Sequence, residues 1–150
     1  MKKLLFLFLA LVLAACSAAA PKSDLELNQQ KWQDANIKHY QFQLNIGCFC
    51  AYRDQMPLTI EVKDGQIMSM TNANGDVVTD TDPAAAFMMT YGTIDNIFAV
   101  LNTEEVKNAD TVTVSYDPTY GFPVDVSVDY SQQMADEELY LSLSGFEKLP

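Results

Sequence analysis

The chain has 150 residues, 9 of them Lys or Arg and 20 Asp or Glu, for a formal charge of −11 at neutral pH. So acidic a surface repels phosphates, which argues against nucleic acid as a partner and against electrostatic adhesion to anionic lipid. Once its amino-terminal segment is set aside, the length suits one domain with a respectable core.

That first segment is a targeting element. Lys2 and Lys3 precede an unbroken apolar run from Leu4 to Ala15, and small residues surround Cys16, the layout of a secretory signal peptide. The run is shorter than the ~20 residues that a helix needs to cross a bilayer. Leu13, Ala14, Ala15 and Cys16 resemble the lipobox of bacterial lipoproteins. The resemblance implies cleavage before Cys16 and acylation of both its thiol and the new amino terminus. Ser17, in place of an aspartate, further implies the outer membrane facing the periplasm. One acyl chain holds a protein only marginally at ~0.8 kcal/mol per buried methylene, whereas two or three attach it stably. Loss of residues 1–15 removes Lys2 and Lys3 and leaves 7 basic against 20 acidic residues, a charge of −13. The organisation expected is a signal peptide over 1–15, lipidated Cys16 with a tether to residue 23, and one domain over 24–150.

The domain opens with "DLELNQQKWQDANIKHY", a helix capped near Ser23 or Asp24, with Leu25, Asn28, Trp32 and Ala35 on one side and Trp32 as its core anchor. In "HYQFQLNI", Tyr40, Phe42, Leu44 and Ile46 alternate with polar residues, the period of a strand with one buried face. "PLTIEVKDGQIMSMT" reads as a hairpin turning at Asp64-Gly65. Counted from that turn, Val62 faces Ile67 and Glu61 faces Met68, which puts Met68 and Met70 on the polar face. "TNANGDVVTDT" is a loop or a short strand. Asp82, Pro83 and Gly92 mark the ends of a short helix, and a second runs from Thr93 to about Asn108 with Ile94, Ile97, Phe98 and Leu101 as its apolar stripe. Three strands close the chain, burying Val112, Val114 and Tyr116, then Val124, Val126, Val128 and Tyr130, then Leu139, Leu141 and Leu143. Helix then strands, twice over, predicts an α+β fold: an antiparallel sheet of about five to seven strands with two or three helices on one face.

Trp32, "YQF" at 40–42, "CFC" at 48–50, "VKDGQI" at 62–67, "IDNIF" at 94–98, "YDPTYGFP" at 116–123, "VDY" at 128–130 and "ADEE" at 135–138 together resemble an uncharacterised family of bacterial secreted proteins and lipoproteins, a domain of unknown function. The resemblance spans nearly all of residues 24–150 and supports those boundaries; it implies no activity. Where that family commonly has a paired D-D-E, this chain has Ala135, Asp136, Glu137 and Glu138.

Catalytic signals are sparse. The one histidine, His39, falls on the polar side of the first strand, so a Ser or Cys nucleophile lacks an evident base. No Gly-rich phosphate loop is present. Asp117, Asp125, Asp129, Asp136, Glu137 and Glu138 could gather Ca²⁺ only without EF-hand spacing, and read first as a solvated polar face. No catalytic residue, cofactor or metal ligand set follows from the sequence.

Cys48 and Cys50 leave more open. With Cys16 acylated, they are the remaining thiols, and a compartment outside the cytoplasm is oxidising. Residues two apart on a strand lie ~6.6 Å apart, at the outer limit for a disulfide, so a bridge needs a bend such as Gly47 permits. Free buried thiols are a second reading. Cu(I) or redox chemistry is a third, with Met56, Met68, Met70, Met88 and Met89 as further soft ligands. The function expected is that of an envelope lipoprotein, held to the bilayer through Cys16, whose non-enzymatic domain binds an envelope protein or ligand by its sheet or loop edge. The alternative is a thiol-dependent metal or redox protein.

Overall fold

The computed structural model describes residues 22–47 and 52–150. Cys16, Cys48 and Cys50 lie outside the described residues, and with them the signal-peptide, lipidation and disulfide readings. Helix α1 (Asp24–Ala35) starts at Ser23, whose hydroxyl accepts the Glu26 backbone N–H while the Glu26 carboxylate accepts that of Ser23. This reciprocal capping satisfies two otherwise orphaned donors, and it holds the Glu26 pKa below the usual carboxylate range. Asn36, in the left-handed conformation, ends the helix.

The remaining elements follow as β1 (His39–Gly47), β2 (Leu58–Lys63), β3 (Gln66–Thr71), α2 (Ala85–Thr90), α3 (Ile94–Leu101), α4 (Glu104–Lys107), β4 (Thr111–Tyr116), β5 (Pro123–Asp129) and β6 (Leu139–Lys148). All six strands form one antiparallel sheet in the order β3-β2-β1-β6-β5-β4. Each half of the chain contributes a three-stranded meander, and the two join where β1 lies against β6. The fold is α+β, with a helix-then-strands order in both halves.

One core fills the space between helices and sheet. Tyr40, Phe42, Leu44 and Ile46 of β1 meet Leu58, Ile60 and Val62 of β2 and Leu139, Leu141 and Leu143 of β6, all fully or nearly fully buried. Trp32, 4% exposed, sits among Tyr40, Phe122 and Phe146, edge-on to each at 5.4–6.1 Å between ring centres, and its indole N–H donates to Asp95 on α3 at 3.2 Å. The Tyr40 hydroxyl reaches the α3 amino end and accepts the Ile94 N–H, and burial pushes its pKa upward.

Three expectations are corrected. Between Glu61 and Val62 the β2–β3 register shifts by one residue, so Glu61 pairs with Ser69 and Ile60 with Met70. Met68 is the extra residue of this bulge and is exposed, whereas Met70 turns into the core. A bulge reverses side-chain parity beyond it, which counting from the turn cannot reveal. Secondly, the helix expected to run from Thr93 to Asn108 breaks at Asn102, and Thr103 caps a separate α4 by accepting the Val106 N–H. Thirdly, Val112 is 41% exposed and Val114 and Tyr116 are only half-buried. They share the parity of the core but lie on an edge strand that α1 borders only with its first turns, across an open groove. A smaller difference concerns Asp82: its carboxylate accepts the Ala84 N–H in the turn before α2, and the helix itself begins at Ala85.

Candidate functional site: the open face of the sheet

Helices cover one face of the sheet. On the other, the alternate residues of four strands align by register into two transverse rows. Asn45 of β1 pairs with Ser142 of β6, which pairs with Asp125 of β5, which pairs with Ser115 of β4. In the second row Gly47, Tyr140, Ser127 and Thr113 follow in the same strand order. Between the rows lies a shallow groove of about 220 Å³, also bordered by Val126 and Leu141.

Tyr140 is its most prominent side chain. It is 52% exposed, on a strand whose inward residues are leucines. Gly47 leaves room for it: a β-carbon there would stand 3.2 Å from the Tyr140 β-carbon, a tight contact that one of the two would have to relieve by a small shift. Ser115 donates its hydroxyl to the Asp125 carboxylate at 3.2 Å. The rest of the groove is hydroxyl and amide, with no cationic side chain. Such a surface can offer an aromatic plane, several neutral donors and acceptors, and one carboxylate. These are means of recognition.

The histidine lies at the far end of β1. His39 Nε2 is 2.8 Å from the Glu61 carboxylate and Nδ1 is 2.7 Å from the Pro150 carbonyl. Both neighbours only accept hydrogen bonds, so the doubly protonated ring satisfies both at once. Accordingly its pKa is raised, first by the bond to Glu61 and then by that to Pro150, against the opposing effects of desolvation and of Lys63.

The carboxylates singled out in the sequence are dispersed. Asp117 accepts the N–H groups of Thr119 and Tyr120 and so shapes the turn after β4. Asp125 and Asp129 are on β5, Asp136 has a left-handed backbone in the β5–β6 connection, and Glu137 borders a cleft with Glu104, Glu105, Asn108, Tyr130 and Met134. Among the described residues, no group of three or more His, Cys, Asp or Glu side chains is arranged to hold a metal ion. Of the methionines proposed as soft ligands, Met70 and Met88 are buried in the core.

The tyrosine-aspartate-proline motif has an architectural role. Its loop lies on α1: the Lys31 ammonium donates to the Pro118 carbonyl, Phe122 packs against Trp32, and Gly121, at φ 79°, passes so close that a β-carbon would stand 2.6 Å from the Asn28 carbonyl oxygen. These contacts explain the spacing of the motif without reference to a ligand. The model of the family of unknown function DUF6174 matches residues 24–148. The chain belongs to that family. Its matched span begins with α1 and ends with β6, so the DUF6174 domain is the whole sheet with its helices. No curated protein matches the chain.

Tyr140 and its neighbours were not distinguished by sequence reasoning, which read them only as the outward residues of a half-buried strand. The available signal was the aromatic in "LYLSLS", where the other residues of its parity are serines.

Proposed function

We propose that this DUF6174 chain is a bacterial envelope lipoprotein, anchored in the membrane by acylated Cys16, whose domain binds an envelope protein or ligand without transforming it. One observation carries the binding reading: the sheet face opposite the helices presents an exposed aromatic ring set among hydroxyls, one amide and one carboxylate in a shared groove. Recognition sites combine an apolar contact with a few polar groups that fix orientation. The chemistry of the groove favours binding over catalysis, since Ser and Thr hydroxyls are weak nucleophiles without a base and His39 is already engaged by Glu61 and Pro150.

The test is site-specific photo-crosslinking in intact cells, with a benzophenone side chain in place of Tyr140 and, as the comparison, in place of exposed Leu27 on α1. A discrete adduct at position 140 and none at 27 supports the reading; no adduct at 140, with the protein folded and localised, overturns it.

A further inference from the structure

The two edges of the sheet are built differently. At β3, the bulge at Met68 interrupts the ladder and a bridge between Thr71 and Val77 lays more chain along the strand. Bulges and covering chain are the devices by which proteins keep an edge from pairing further. At β4, Thr-Val-Thr-Val-Ser-Tyr runs without charge, proline or glycine. Its inner side pairs with β5, and among the described residues no strand pairs with its outer side. Alongside it a groove of about 420 Å³ is bounded by Val112, Thr113, Val114, Tyr116 and the first turns of α1, Asp24 and Asn28. The half-exposed valines lie on the core side of the sheet, where one more strand would cover them.

The charge around this edge has one sign. From Asn108 to Glu147, a span holding β4, β5 and most of β6, there is no Lys, Arg or His and there are eight acids. Asp110 and Asp117 flank β4, and Asp125 and Asp129 stand behind it on β5. Cations near this edge include Lys31, which donates to Pro118, Lys22, beside Asp24, and Lys107, which is paired with Glu104. A second copy of the chain would bring the same negative field to the edge, so self-pairing is disfavoured and a basic partner is favoured.

We infer that the free edge of β4 takes up an extended segment of a partner protein, with alternating basic and apolar side chains, as a seventh strand of the sheet. Main-chain hydrogen bonds supply the attachment and alternate side chains the selectivity. Apolar residues of the incoming strand cover Val112 and Val114. Its basic residues fall on the open face beside Thr113 and Ser115, and strands ~4.8 Å apart leave Asp125 and Asp129 within reach of a Lys or Arg arm laid across β4. The inference rests on the binding reading above and names the chemistry of the partner.

The experiment uses the full chain in detergent micelles and a fluorescent octapeptide of alternating Lys and Val, with anisotropy read at low and high salt. Comparison peptides are the Glu-Val counterpart and the Lys-Val peptide N-methylated at every backbone amide, which keeps the charge and removes the strand's donors. Binding at least about tenfold tighter than either comparison, weakened about tenfold by Thr113→Lys and weakened less by Asp129→Asn, supports the inference. Asp129→Asn makes no new bulk and covers the case in which Thr113→Lys perturbs the fold. Equal binding of the N-methylated peptide, or indifference to both substitutions, overturns it. Adducts at position 140 with no uptake of the Lys-Val peptide overturn the strand-addition inference alone; absence of both overturns the binding reading as well.

Discussion

At the scale of single residues, Gly121 and Gly65 separate two reasons for glycine. Both have positive φ, but a β-carbon on Gly65 would meet nothing within 4 Å, whereas one on Gly121 would press on the Asn28 carbonyl and the Lys31 side chain. Gly65→Ala should cost about 1 kcal/mol for its backbone alone, and Gly121→Ala about 2–4 kcal/mol because α1 must also shift. Urea melts of the two variants should rank them in that order; equal losses would remove the role assigned to the loop contact with α1. His39 gives a pH dependence of definite sign. Its folded pKa is raised above the ordinary ~6.5 chiefly by Glu61. The stabilisation is therefore complete below that ordinary value and is lost as pH rises through the raised one. Melting temperature should fall over that window, and His39→Gln should flatten the fall. As the chain has one histidine, an NMR titration reads the shift directly, and a midpoint at or below the ordinary value would contradict the geometry.

At the scale of elements, α1 is held mainly by Trp32. Trp32→Ala should cost ~3–5 kcal/mol, since the indole fills a buried space between three aromatic rings. Denaturant unfolding checks it, and a loss below about 1 kcal/mol would deny the anchor role. Most elements were legible because each carries its own signal: Ser23 and Glu26 cap α1, four alternating apolar residues mark β1, and Asp64-Gly65 turns the hairpin. What was not legible depends on neighbours. The bulge at Met68 follows from how β3 meets β2, and the exposure of Val112 follows from β4 ending the sheet. The candidate groove was hidden for the same reason, because Asn45, Asp125 and Tyr140 are far apart in sequence and meet only through strand order. The break at Asn102 had a local sign, Thr103 ahead of Glu104, that the continuous apolar stripe outweighed. Between β1 and the next described residues come Cys48 and Cys50. If they are bridged, alkylation without reductant blocks two fewer thiols than after reduction, and the double Ser variant loses no more than ~2 kcal/mol because so short a loop removes little chain entropy. Free thiols in the isolated protein, with Cu(I) held more tightly than by the double Ser variant, would favour metal handling instead.

At the scale of the whole molecule, the proposed attachment and the fold should be separable. No helix among the described residues is long and apolar enough to cross a membrane; the proposed anchor, the acyl group on Cys16, lies outside them. Cys16→Ser should abolish metabolic labelling with a fatty acid and shift the protein from the membrane to the soluble fraction with its melting curve unchanged. Labelling that persists in the variant would sink the assignment. The pairing of β1 with β6 has a temporal consequence. About a hundred residues separate the partners, and contacts so distant along a chain form slowly, after the closure of a long loop. A polypeptide delivered amino end first can assemble the β1–β2–β3 meander early, yet β1 keeps an open flank until β6 arrives. The central seam of the sheet therefore closes only when β6 is available, and until then β1 presents an unpaired edge on that flank.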